Sequence, residues 1–212
     1  MKKIFFTLVI VTLMTINGFA QYKPFQFGLN ISPSVNITKS NSDFIKETGS
    51  LISYNWGFNG NLYFVENYGI STGFNILNLR GSFMYNNPEI GEISASIKNQ
   101  YLEVPLTMVM RTEKIGKLRV VGNIGYGLGI RLNSQQIFTD ANSNPIEINN
   151  QFRLIRHALI IKIGTEFNVY KSSCISAFFV YNNNFTNIYK SKSASKPNIS
   201  LNSLSLEIEF VF

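Results

Sequence analysis

The last nine residues of this chain constrain its fold more than any other stretch. Leu204, Leu206, Ile208, Phe210 and Phe212 alternate with Ser205, Glu207 and Glu209. A period of two puts the apolar set on one face of an extended strand and the polar set on the other. A strand of this kind needs two different surroundings, one for each face. The same period returns along most of the sequence, so the requirement applies to the whole chain.

Seven further segments carry it. Phe25 to Ile37 has Phe25, Phe27, Leu29 and Ile31 on one face. Leu51 to Val65 sets Ile52, Tyr54, Trp56, Phe58, Leu62 and Phe64 against Ser53, Asn55, Gly57, Asn59 and Asn61. Tyr68 to Arg80 sets Ile70, Thr72, Phe74 and Ile76 against Ser71, Gly73 and Asn75. Lys98 to Met110, Leu118 to Arg131, Arg153 to Tyr170 and Cys174 to Phe185 follow, and the terminal strand reaches back to about Asn198. No amphipathic helix interrupts them. Each run suffices to cross a bilayer as a tilted strand, which takes about 9–11 residues.

The connections alternate in length. Glu66-Asn67, Arg111 to Lys117 and Lys171-Ser172-Ser173 are short; Thr38 to Ser50, Gly81 to Ile97, Leu132 to Phe152 and Thr186 to Pro197 are long. Outer-membrane barrels have short periplasmic turns and longer external loops. The expectation is an all-β, eight-stranded, antiparallel up-and-down transmembrane β-barrel.

The start of the chain agrees with that address. Lys2 and Lys3 precede an apolar stretch from Ile4 to Ile16, and Gly18-Phe19-Ala20 offers small residues before Gln21. Residues 1–20 read as a secretory signal peptide, leaving 21–212 as one barrel domain. No later apolar run is long enough for a spanning helix. Charged residues make up 15% of the chain, against about 25% in soluble domains; Asn, Ser and Gly supply the polarity instead. The formal charge of +7 is dispersed, with two of the charges in Lys2 and Lys3. No dense basic block points to a nucleic-acid partner. The external loops carry Lys39, Lys46, Arg153, Lys190, Lys192 and Lys196. These are candidates to attract anionic lipopolysaccharide, although simple loop solubility explains them better.

Alternation alone does not say which face meets lipid. The polar face is rich in Gly, Ser and Asn and poor in Lys and Glu, as a packed lumen would be. Phe25, Tyr68, Tyr101, Tyr170 and Phe212 lie near strand ends, where aromatic girdles form. Both features place the apolar face outward.

The segment Asn99-Gln100-Tyr101-Leu102-Glu103-Val104-Pro105-Leu106 is similar to the Y-L-E-[IV]-P-L strand of the PorT-like outer-membrane β-barrel proteins. Signal peptide, strand layout and aromatic C-terminus extend the resemblance over the mature chain. It implies an outer-membrane barrel, and it implies that Phe210 and Phe212 form the terminal signal read by the barrel-assembly machinery. The secretion role of PorT itself does not carry over on a barrel signature.

With Leu102, Val104 and Leu106 toward lipid, Pro105 is turned inward. It has no N–H for the ladder, so it should mark a bulge or a locally unpaired position. The same phase sends Glu103, Arg119, Arg131, Arg156, Lys162, Glu166, Glu207 and Glu209 into the lumen. Enclosed charges must pair, so Glu103, Glu207 or Glu209 should meet Arg119, Arg156 or Lys162.

Little here points to chemistry. His157, the single histidine, falls on the lipid side, where a lipid hydrolase needing a Ser/His/acid set would not place its base. Cys174 is the single cysteine, which rules out an internal disulfide or a metal-binding cysteine cluster. Gly125, Gly127 and Gly129 alternate on a strand and do not form a phosphate-binding loop. No catalytic, cofactor or metal residues are expected. The leading function is structural, or binding of a protein partner in secretion or envelope maintenance. The alternatives are a narrow channel or small-solute transporter, and a lipid-modifying enzyme.

Overall fold

A computed structural model describes residues 24–40, 45–47, 49–87, 91–139, 145–146, 152–170, 173–189 and 199–212. The expected signal peptide, residues 1–20, lies outside them. The strands are β1 (Phe25–Ser40), β2 (Ile45–Glu47), β3 (Leu51–Val65), β4 (Tyr68–Asn87), β5 (Gly91–Arg111), β6 (Leu118–Thr139), β7 (Pro145–Ile146), β8 (Ile155–Tyr170), β9 (Ser173–Asn184) and β10 (Ile199–Val211). Eight long strands pair in sequence, all antiparallel, and β1 closes on β10 from Gly28–Val211 to Ser40–Ile199. The short β2 and β7 pair onto the outer reaches of β4 and β6. The result is a closed eight-stranded barrel. Along the paired length, closure leaves no edge to aggregate, and the ladders satisfy the strands' backbone there, as hydrocarbon demands.

Phase follows the sequence pattern. Leu29, Ile31, Ile52, Tyr54, Trp56, Leu106, Ile163 and Phe179 are exposed on the outer face, whereas Asn30, Ser32, Ser53, Asn55, Thr107 and Ser176 are buried in the lumen. Soluble monomers do not expose an apolar belt of this extent; in a bilayer it is the favourable arrangement. Phe25, Phe27, Phe58 and Phe74 form a chain of ring contacts across β1, β3 and β4, with centroids 4.4, 5.4 and 5.8 Å apart. Phe212 joins it through Phe27 at 6.3 Å. Tyr101 departs from the expected girdle. It points inward and is only 4% exposed. The phase that sends Glu103 inward applies equally two residues earlier.

Pro105 sits at a gap in the ladder. The β4–β5 register runs through Thr72–Leu106 and resumes at Asn75–Glu103, unchanged across the gap. There is thus no bulge at Pro105, and its carbonyl accepts instead from the Thr72 hydroxyl at 2.9 Å.

The largest difference from the expectation lies at the end opposite the short turns. Gly81 to Ile97 is not a loop: β4 continues to Asn87 and β5 begins at Gly91. Likewise β6 runs on to Thr139, and Ile45–Glu47 within the expected Thr38–Ser50 loop pairs with β4. The 21 residues of β5, at about 3.3 Å each and tilted about 40°, rise roughly 50 Å, twice the height of an apolar band of about 25 Å. Beyond the band the polarity of the two faces reverses. Leu77, Leu79, Phe83, Ile93, Ala95, Ile97, Tyr101 and Phe138 turn inward and pack with Ile188, Tyr189, Ile199 and Leu201 into one buried cluster. The outward positions there are mostly polar, among them Asn78, Arg80, Lys98 and Gln100. A β-bulge lets β6 join in. Its register with β5 shifts between Tyr101–Arg131 and Gln100–Asn133. The extra residue, Leu132, changes the phase so that Phe138 reaches the interior.

Candidate functional site

Among the described residues, the ion pairs gather in the lumen and at its rim. Arg156 Nη1 lies 2.5 Å from Glu103 Oε2, and both side chains are 2% exposed. Arg156 Nη2 also donates to Asn182 Oδ1 at 2.7 Å, and Asn182 Nδ2 reaches Glu103 at 3.4 Å. Lys162 Nζ donates to Glu207 Oε1 at 2.6 Å. Glu209 accepts from Asn59 Nδ2 at 3.3 Å. It makes no ion pair among the described residues. Glu166 pairs with Arg111 at 3.0 Å, and Arg119 pairs with Glu66 at the turn between β3 and β4. Arg131 lies over the Phe152 ring at 5.6 Å.

Seven of the eight predicted lumen residues are buried and Arg131 is half-buried, but the pairing differs in part from the expectation. Glu103 and Glu207 meet Arg156 and Lys162. Arg119 turns to the rim, and Glu209 is held by an amide. Arg111 and Glu66 were missed because both fall in what the sequence reads as short turns. Yet Arg111 ends β5, donates to Gln26 Oε1 at 2.7 Å and stacks 3.7 Å over Tyr63.

These pairs join strands that are not neighbours. Glu103 on β5 and Arg156 on β8 reach each other over β6; Lys162 on β8 and Glu207 on β10 reach over β9. The glycines of β6 make the first crossing possible. A Cβ at Gly127 would lie 2.7 Å from Glu103 Oε2, and one at Gly129 would lie 3.2 Å from Arg156 Cβ. The Gly-rich run is therefore the low wall over which the ion pair closes. Above it, Ser34, Ser53, Asn36 and Asn55 form a hydrogen-bonded layer, with Ser34 and Ser53 hydroxyls 2.7 Å apart. The apolar cluster of β4, β5 and β6 covers that layer. Between the polar layers remains a cavity of about 20 Å³, lined by Asn30, Asn75, Glu103, Lys162, Asn182 and Glu207 among others. That is room for about one water.

His157 is exposed on the outer wall and touches the Tyr126 hydroxyl through Nδ1. Of the loop cations, Lys39 is exposed, and Arg153 Nε donates to the Tyr189 carbonyl at 3.2 Å. The Lys46 and Tyr170 side chains and Lys190, Lys192 and Lys196 lie outside the described residues. Phe210 and Phe212 face outward, with ring centroids 6.2 Å apart.

A closed eight-stranded barrel with a lipid-facing belt and an ion-paired lumen defines an outer-membrane β-barrel protein. The family model of the outer membrane protein beta-barrel domain matches residues 19–190, and the chain belongs to that family. It resides in the bacterial outer membrane. Among solved structures it is similar to the outer membrane protein OprG from Pseudomonas aeruginosa, with 12% identity and a TM-score of 0.52, covering 90% of this chain and 97% of that one. It also resembles Ail, the attachment invasion locus protein of Yersinia pestis, with 13% identity and a TM-score of 0.45, over 90% and 100% of the two chains. At these identities the likeness concerns the fold alone. No curated protein sequence matches the chain.

Proposed function

We propose that the protein is a non-conducting, non-enzymatic barrel with a structural or partner-binding role. Its filled lumen holds the external extension of β4, β5 and β6 rigid as a platform. The carrying observation is the interior itself, in which ion pairs, a polar layer and an apolar cluster succeed one another among the described residues, around a cavity of about 20 Å³. A partner in secretion or envelope maintenance is one version of that role. Phe210 and Phe212, at the strand that closes the barrel, suit recognition by the barrel-assembly machinery.

Planar-bilayer recording of the refolded barrel tests the reading. No discrete conductance steps are expected; stable single-channel openings would overturn it in favour of a narrow channel. A lipid-modifying enzyme is disfavoured because, among the described residues, the His157 ring meets Tyr126 and no serine or carboxylate. His157→Ala is expected to leave lipid A deacylation and phospholipid hydrolysis at background.

A further inference from the structure

The barrel wall has a break. β3 pairs with β1 along its full upper half, through Asn55, Tyr54, Ser53, Ile52 and Leu51. Its pairing with β4 stops at Trp56–Ile76. Above that point β4 continues for eleven residues, to Asn87. Side chains substitute for the missing ladder. Asn78 Nδ2 donates to the Tyr54 carbonyl at 2.6 Å, the Asn78 N–H donates to Asn55 Oδ1 at 2.9 Å, and Arg80 Nη1 reaches the Ile52 carbonyl at 3.5 Å. An open groove of about 400 Å³ lies over the break, lined by Tyr54, Asn78, Arg80, Lys98, Gln100 and Gln135 among others.

Two features of this groove call for an anion. Arg80 and Lys98 are direct cross-strand partners, and like charges in that relation repel. Neither forms an ion pair among the described residues. In addition, Arg80 Nε has no hydrogen-bond partner among the described residues. A bound anion removes the repulsion, and an Arg80 side chain that swings toward it gains a partner for that donor.

The level of the groove selects which anion. The row Ile76–Leu102–Ile130 belongs to the apolar belt, and the next rows up are Asn78–Gln100–Asn133 and Arg80–Lys98–Gln135. The basic pair therefore stands one polar row above the hydrocarbon, at the headgroups of the external leaflet. Exposed Ile52 and Tyr54 on one wall offer apolar contact below it. We propose that the break in the barrel wall binds a phosphate of the phosphorylated glycolipid of that leaflet, lipopolysaccharide, between Arg80 and Lys98. The inference rests on the outer-membrane location and is independent of whether the lumen conducts.

The test uses the intact barrel refolded into phosphatidylcholine nanodiscs and titrated with bisphosphorylated lipid A. Trp56, the only tryptophan, sits at the foot of the break and reports binding by fluorescence. Saturable binding is expected, weakened about 30-fold in Arg80→Gln/Lys98→Gln by loss of two charge contacts. Lys114→Gln/Lys117→Gln, which removes two exposed charges from the opposite rim, should bind as the unmodified protein does. Dephosphorylated lipid A should bind weakly, and millimolar inorganic phosphate should not compete. Equal affinity in the double variant, or for the dephosphorylated lipid, overturns the proposal. Full displacement by inorganic phosphate also overturns it, since the site would then serve a free anion. If the double variant does not fold, as judged by heat-modifiable gel mobility, Lys98→Gln alone should weaken binding about fivefold.

Discussion

Replacing one member of the Glu103–Arg156 pair tests whether the lumen is an ion-paired plug. With charge centres about 4 Å apart, attraction at an effective dielectric of 20 is roughly 4 kcal/mol. Desolvation costs several kcal/mol per ion, so the intact pair contributes little net stability. Its removal in halves is another matter. Glu103→Gln leaves the Arg156 guanidinium buried without its carboxylate, and Arg156→Gln leaves the Glu103 carboxylate with only Asn182. Each should cost about 3–5 kcal/mol. The double variant Glu103→Gln/Arg156→Gln removes both charges and should recover most of that loss. Urea unfolding in lipid vesicles, followed by Trp56 fluorescence, supplies the three differences and the coupling energy. Single variants that each lose under about 1 kcal/mol, or losses that simply add, would refute the reasoning, because uncoupled charges do not hold strands β5 and β8 together across β6.

Gly125→Ala should destabilise the barrel by roughly 1–3 kcal/mol, since a Cβ there collides with the Leu106 carbonyl. Gly60→Ala, whose nearest neighbour is Phe25 Cζ at 3.6 Å, should have little effect on the same urea midpoint. Phe83→Ala empties part of the external apolar cluster, a change that costs about 3–5 kcal/mol in a packed core. Trypsin should then cut at Arg80 or Lys98 faster, while the membrane-embedded strands stay protected. Cys174, 3% exposed in the lumen wall, should resist maleimide in the folded barrel and react fully in urea.

Much of this molecule is written in its period of two. The outward faces of all eight long strands and the inward phase of every lumen charge follow from alternation within the lipid zone, as Ile52 to Phe64 and Leu204 to Phe212 illustrate. What alternation hid was the change of surroundings along a strand. In β4, apolar residues hold even positions through Phe74 and Ile76 and odd ones at Leu77, Leu79 and Phe83. Read with a single lipid-outward rule, that switch looks like the end of a strand. In fact it marks where lipid gives way to water and the apolar face turns inside. The bulge at Leu132 disguised β6 in the same way, by changing phase through an inserted residue. Pairing partners were harder still. Arg156 meets Glu103 over a wall whose height depends on Gly127 and Gly129, a property of packing across three strands.

The switch from Ile76–Leu102–Ile130 to Asn78–Gln100–Asn133 also has a mechanical consequence. It works as a depth gauge. Sliding the barrel inward drags the Asn78–Gln100–Asn133 row and then Arg80 and Lys98 toward hydrocarbon, where a basic side chain costs about 2–4 kcal/mol at the midplane. Sliding it outward strips lipid from Phe64, Val65 and Tyr68 at the other rim. Squeezed between these penalties, the protein keeps its height, and a bilayer of different thickness must stretch or thin to meet it. The chain thus imposes a local thickness on the outer membrane around it.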